Sequence, residues 1–446
     1  MSATRRLAEF IYDLRYENIS KDAIAKAKLC VMDWVGVAVG GYVDGRGGME
    51  SMLKAMSPFF GQPQATLITK KKKIDVLNAA LINGTASHFI DYDDVHMGMI
   101  GHPSVPVVPA ALAVGEYRGI GGKKLIEAIV AGIEAECRIG GAVNPEHYMA
   151  GWHATATLGC FGACAAVAKL IGLDVGKIVF ALGIAGTQSF GLRQSFGTMC
   201  KPFHAGKAAS NGILAAVLAG NGFTGPQQIL EGEAGFGKVY SQKFDDSKIG
   251  SFGNPFEIQG VVYKRYASCY LTHATIRCML EIREKYHPMV AKVGSVEVKT
   301  SSAAVTVAGK PEPQTGLEGK FSLRYCTALA LMKGRAVESD FTDESVNEPD
   351  IKNLMLKVNV IQDESFIATE AEIKIKMTDG AEIKERLELG SKDAAVSVAE
   401  WESTLEAKSS DFLKKAYSAE KTAKIINAIK KLDRVGNVKN VVELVS

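Results

Sequence analysis

One of the two longest runs of this chain without a Lys, Arg, Asp or Glu extends from His147 to Ala168. It is long enough to cross a bilayer as a helix, yet it carries two His, two Thr and many small residues. It is therefore expected to be a helix buried in a soluble protein rather than a membrane span. The sequence around it has the same texture. Ala/Gly-rich apolar segments separated by short polar turns fill the first half, with little β-branched alternation, and predict a helical body. Ser20-Lys21-Asp22 can cap a helix through Leu29–Val35. Further helices are expected over Val105 to Tyr117, Lys123 to Arg138, His153 to Leu170, Asp174 to Phe190 and Ala205 to Ala219, the last stopped by Gly220-Asn221-Gly222.

From about Gly250 the pattern changes. Ser251-Phe252-Gly253-Asn254-Pro255 has the composition of a linker, and the segments beyond it alternate. Val296/Val298/Thr300 and Leu354/Leu356/Val358/Val360 each put apolar residues on one face of a strand. Ile373/Ile375/Met377 and Ile383/Leu387 flank Asp379-Gly380, and their apolar faces match best across a three-residue hairpin loop. After Gly390 the chain turns helical again, with Ile425, Ile429 and Leu432 on one stripe. The expected fold is thus mainly α: a large all-helical domain from residues 1–255 and 392–446, with an inserted α+β lid domain at 256–391.

With 446 residues, each of two or three domains can bury its own core. A net charge of +3 over that length gives no field for a polyanion, so nucleic acid is not an expected partner, and neither is a membrane. The eight cysteines include no CxxC pair, which fits core thiols in a reducing cytoplasm.

Chemistry-bearing residues fall in four clusters. His88-Phe89-Ile90-Asp91-Tyr92-Asp93-Asp94-Val95-His96, followed by Gly101-His102-Pro103-Ser104, sets three carboxylates and three imidazoles within fifteen positions. That density suits a divalent metal, or a carboxylate-held histidine titrating near neutrality; a plain helix start at Val105 is the alternative. His153, in Gly151-Trp152-His153-Ala154-Thr155, opens a helix whose free N–H groups lower the pKa of a nearby imidazole. Lys201, His204 and Lys207 lead into another helix start able to hold a carboxylate or phosphate. Lys201 and Ala208 break a Walker loop, and no GxGxxG is present. Lys264-Arg265, with Cys269 and His273, lies just past the linker, where an anionic substrate closed between two domains would meet it.

Taken in order, these blocks resemble the MmgE/PrpD family: HxxDYDDxH…HPS, GWHATATLG, QSFG…MxKPFHAGKAAxNG, GFTG, EGxxGF and KxYxxCxxTH. The resemblance implies a homodimer with a cleft between helical domain and lid, and carbanion chemistry without a metal or organic cofactor. It carries the catalytic set onto Asp91, His102, His153, Lys201, Lys264 and Tyr325. Val95 stands where the family's decarboxylases lead one to expect threonine, and Cys269 where they carry histidine. Ala267 and Arg277 also depart from the usual pattern, replacing a proline and an acidic residue. The expected activity is therefore that of a hydro-lyase of the 2-methylcitrate dehydratase kind, with an epimerase, a decarboxylase or a catalytically silent ligand-binding homologue as alternatives. In this reading His102, His153 and Tyr325 exchange protons, and Asp91 orients a histidine. Lys201, Lys264, His204, Lys207, Cys269 and Arg265 bind a small di- or tricarboxylate.

Overall fold

The computed structural model describes residues 1–45 and 47–446 and is mainly α-helical, with one small mixed sheet. Helix α1 (Lys21–Asp44) starts at Ser20, whose hydroxyl accepts from Ala23 N. Then follow α2 (Val76–Phe89), α3 (Ser104–Arg118), α4 (Gly122–Val143), α5 (Ala154–Ile171), α6 (Val175–Gly186) and α7 (Cys200–Gly220). α5 is apolar enough to cross a membrane, but 94% of it is buried inside the fold, against α3, α4, α6 and α7. Its all-round apolarity is that of a helix with no solvent face.

Two helix boundaries differ from the sequence expectation. α6 stops at Gly186 instead of continuing to Phe190, because the next residues turn back toward the start of α5. There Gly191 takes φ +108° and its carbonyl accepts from His153 N at 3.0 Å. α7 begins at Cys200, ahead of Ala205, because Pro202 sits in its first turn, where a missing N–H costs nothing. Lys201 and His204 are thus part of the helix.

α2 and α7 cross where Gly84 meets Gly206. A Cβ on Gly206 would lie 1.9 Å from Leu81 O, so only glycine allows this approach. The contact brings the C-terminal end of α2, with His88, beside the N-terminal end of α7, with Lys201.

Beyond the linker, helices α8 (His273–Tyr286) and α9 (Leu323–Lys333) cover a sheet of β1 (Val293–Thr300), β2 (Val358–Gln362), β3 (Glu370–Met377) and β4 (Glu382–Glu388). The strand order is β2-β1-β3-β4, with β1/β2 parallel and the other pairs antiparallel. Ile375 faces Ile383 across the hairpin, and Met377 N donates to Ala381 O at 2.8 Å. The loop is therefore the three residues Thr378-Asp379-Gly380, with Gly380 at φ +91°. Leu354 and Leu356 do not belong to a strand: Pro349 starts a helix, Pro349–Met355, that buries Ile351 and Leu354, and β2 begins only at Val358.

α10 (Val398–Ala416) runs along α1, and Ile425, Ile429 and Leu432 are buried in the same core as α1 to α7. Tyr266, α8, α9 and the sheet enclose a second core. The polar cluster lies between the two.

Candidate active site

A cavity of about 70 Å³, space for several waters, opens between the two cores. Its lining includes the polar Asp91, His102, His153, Lys201 and Cys269 and the apolar Ile100, Phe196, Leu271 and Phe321.

Asp91 sits just past α2 in a left-handed conformation, φ +52°. Its Oδ1 accepts from Lys201 Nζ at 2.7 Å and from Lys264 Nζ at 2.8 Å, all three side chains being nearly inaccessible. Burial works to raise the Asp91 pKa, but Lys201 and Lys264 hold it below the ordinary carboxylate value. Burial likewise works against the Lys264 charge, yet Asp91 and Asp93 keep its pKa raised. The Lys201 ammonium also reaches His88 Nε2 at 2.9 Å and lies over the paired Phe196 and Phe321 rings, 5.4 and 5.5 Å from their centroids. Lys201, which lines the cavity, can bind a carboxylate, and the buried Lys264 adds positive charge behind Asp91.

The carboxylate that orients histidines is Asp93. It accepts from His88 Nδ1 at 2.9 Å and lies 3.0 Å from His102 Nδ1, while Asp94 O is 2.8 Å from the same His102 nitrogen. The expectation that Asp91 holds a histidine is corrected on this point: its Oδ1 is occupied by two ammonium groups, and its Oδ2 has no partner. With two acceptors at Nδ1, the His102 proton resides there, and Nε2 carries the lone pair. Burial lowers the His102 pKa, against the opposing pull of Asp93, so the ring is neutral at neutral pH. A neutral imidazole with its distal nitrogen held by a carboxylate is equipped to take a proton.

His153 caps the start of α5, as the sequence places it. Its Nδ1 lies 3.0 Å from His204 Nδ1, and its buried Nε2 has no partner. Burial, reinforced by Lys201 and His204, holds its pKa well below the ordinary histidine value, and His204 is pulled down to about 4 by burial and Lys201. Cys269 faces the cavity as a thiol, pushed up to about 11 by burial and by Asp91.

Five predicted residues are absent from the cavity lining. Lys264 and His204 stand behind it, in contact with Asp91 and His153 respectively. The Tyr325 hydroxyl donates to Asp340 O inside the lid core, beside Phe341. Arg265 pairs with Asp393 at 3.3 Å and lies over Trp401. Lys207 lies nearly two turns along α7 from Lys201 and is absent from the cavity lining. Conversely, His88 and Asp93 stand in the quoted block but carry roles the spacing does not reveal.

His88, Asp91 and His102 have ligand atoms within 4.8 Å of one another, a spacing a cation could bridge. The Lys201 ammonium already contacts two of the three, so a metal there would face an adjacent like charge.

The MmgE/PrpD N-terminal domain matches residues 5–248 and the MmgE/PrpD C-terminal domain residues 266–434. The chain belongs to the MmgE/PrpD family. It is 27% identical over 419 residues to cis-aconitate decarboxylase of Aspergillus terreus, covering 86% of this chain and 84% of that one. To the Homo sapiens cis-aconitate decarboxylase it is 27% identical over 405 residues, 86% and 82% of the two chains. To 2-methylcitrate dehydratase of Escherichia coli (strain K12) it is 22% identical over 411 residues, 84% and 82% of the two. These relatives are lyases, and the active-site blocks read from the sequence fall inside the matched ranges except for Lys264 and Arg265, which lie between them.

Proposed function

We propose that this protein is a cofactor-independent hydro-lyase acting on a small di- or tricarboxylic acid. The observation that carries the reading is His102: its Nδ1 is held by Asp93 and the Asp94 carbonyl, leaving Nε2 to the cavity beside the Asp91-bound lysine pair. Lys201 binds the substrate carboxylate, with Lys264 adding positive charge behind Asp91. His102 Nε2 takes the α-proton, the C–H electrons form the new C=C bond, and the His102 imidazolium hands its proton to the departing β-hydroxyl, which leaves as water. The apolar Ile100, Phe196, Leu271 and Phe321 take the uncharged flank of the substrate.

Dehydration is favoured by Val95 and Cys269, which line the cavity where the family's decarboxylases lead one to expect threonine and histidine. The 27% identity to cis-aconitate decarboxylases favours decarboxylation as the second reading. Exposed apolar side chains along one face of α7, Leu214 and Val217 with Phe203, fit the expected homodimer, and the free cysteines fit a reducing cytoplasm.

Chelator-treated protein in D2O, offered 2-methylcitrate, citrate, cis-aconitate and substituted succinates and followed by proton NMR, tests the reading. Alkene formation with loss of water is expected. Release of CO2 would move the assignment to decarboxylation, deuterium exchange without an alkene to epimerisation, and silence with every acid to a non-catalytic homologue.

A further inference from the structure

Residues Ile90, Asp91 and Tyr92 lie outside regular structure after α2, and their carbonyls have no backbone partner in a helix or sheet. Buried carbonyls need donors from elsewhere. Each of the three receives one from a different lysine: Ile90 O from Lys320 Nζ at 2.6 Å, Asp91 O from Lys264 Nζ at 2.8 Å and Tyr92 O from Lys408 Nζ at 2.6 Å.

The three ammonium groups come from separate parts of the chain, and each has a second anchor. Lys320, 1% exposed, also donates to Ala267 O at 2.7 Å and to Glu338 in the lid. Lys408, from the middle of α10, reaches Asp33 of α1 at 2.7 Å and lies 3.9 Å from the centre of the Tyr92 ring. Lys264 adds the Asp91 side chain itself. Both cores and α10 therefore converge on one tripeptide, whose middle residue adopts the left-handed conformation that L side chains rarely take.

We propose that Lys320 and Lys408 are positioning residues. With Lys264 they fix the Ile90–Tyr92 backbone, and through it the Asp91 carboxylate that holds the substrate-binding Lys201 at hydrogen-bond distance. Charge-assisted bonds to consecutive carbonyls leave the tripeptide no alternative path, so the site is assembled only when the lid and α10 are both seated. The catalytic part of this inference rests on the proposed lyase reading; the structural part does not.

Two readouts separate them. In Lys320→Met and Lys408→Met, amide hydrogen exchange in peptides covering residues 88–96 is expected to speed up about tenfold or more. Lys169→Met removes another buried lysine that donates to two carbonyls at a helix C-terminus, Tyr12 O and Leu14 O, far along the chain, and is expected to leave that segment unchanged. In turnover, the first two variants are expected to lose about 10–100-fold in kcat with KM held within about threefold, because misplacement acts on the reacting geometry. Lys320→Gln and Lys408→Gln, which keep one donor without the charge, should fall between and serve where the Met variants do not fold. Unchanged exchange at residues 88–96 would overturn the proposal whatever the kinetics. If wild type turns over no acid, exchange alone decides it, and only the lyase reading fails.

Discussion

His102 is the residue on which the chemistry turns, and its environment predicts a pH signature. The active form is the neutral ring. Because burial outweighs the pull of Asp93 and lowers the His102 pKa, the acid limb of kcat/KM is expected below the ordinary histidine value of 6.5. His102→Gln should cost about 10²–10⁴-fold in turnover. Asp93→Asn removes the neighbour that raises that pKa, so it should slow turnover and move the acid limb to still lower pH. An acid limb at or above 6.5 in wild type would mean that another group is the base. Tyr325 supplies the contrast. Tyr325→Phe deprives a buried carbonyl of its donor and should cost about 1–3 kcal/mol of stability in urea titrations, with kcat within about threefold of wild type. A larger kcat loss would return the tyrosine to the mechanism. His102, His153, Lys201 and Lys264 were legible because each stands in a distinctive local block. The partition between Asp91 and Asp93 was not: three aspartates in four positions share a block, and which one faces lysines depends on a left-handed turn that no spacing encodes.

At the scale of elements, the packing of α2 on α7 places His88 and Asp91 next to Lys201. A side chain at Gly206 would meet Leu81 O and the Thr85 side chain on α2 at distances no real Cβ shows. Gly206→Val should therefore destabilise the fold by about 1–3 kcal/mol or more, since overpacked side chains cannot relax against a helix backbone. In whatever protein remains folded, turnover should drop because Lys201 is carried away from Asp91. Parallel melting and initial-rate measurements check it, and an unaltered melting temperature would mean that the two helices separate at little cost. The glycine was visible in the sequence, but its partner was not, because the crossing joins residues more than a hundred positions apart. Local signals fared better. The three-residue hairpin loop followed from matching apolar faces, and the Ser20 cap from one hydroxyl ahead of an apolar run. Leu354 and Leu356 misled because alternation over so short a run is also compatible with the end of a helix; Pro349, compatible with a first helical turn, was the competing signal.

Across the whole molecule, the polar network buried between the two cores makes stability depend on pH in a direction that can be worked out. Burial pulls His88 down to about 3, and His147 and His204 down to about 4. Burial also lowers His102, His153 and His273. Their folded pKa values lie below 6.5, the value they regain on unfolding, so between about pH 4.5 and 6.5 the unfolded chain binds protons that the folded chain refuses. Stability must then fall as pH falls through that window, by about 1.4 kcal/mol per pH unit for each unbalanced proton. Asp94, raised to about 7 by burial and Asp33, and Glu136, raised well above its ordinary value by burial, act in the opposite sense, as do Asp33, Glu134 and Asp393, which burial also raises. Six imidazoles against these five carboxyls leave a smaller net slope in the direction the histidines set. The urea midpoint should drop steadily from pH 7 to pH 5, with most of the loss before ordinary carboxylates titrate. A midpoint that held level or rose over that range would mean either that the raised carboxyls outweigh the imidazoles or that the imidazoles are protonated in the folded protein. In the second case a protonated His102 cannot accept the α-proton, and the base must be another group.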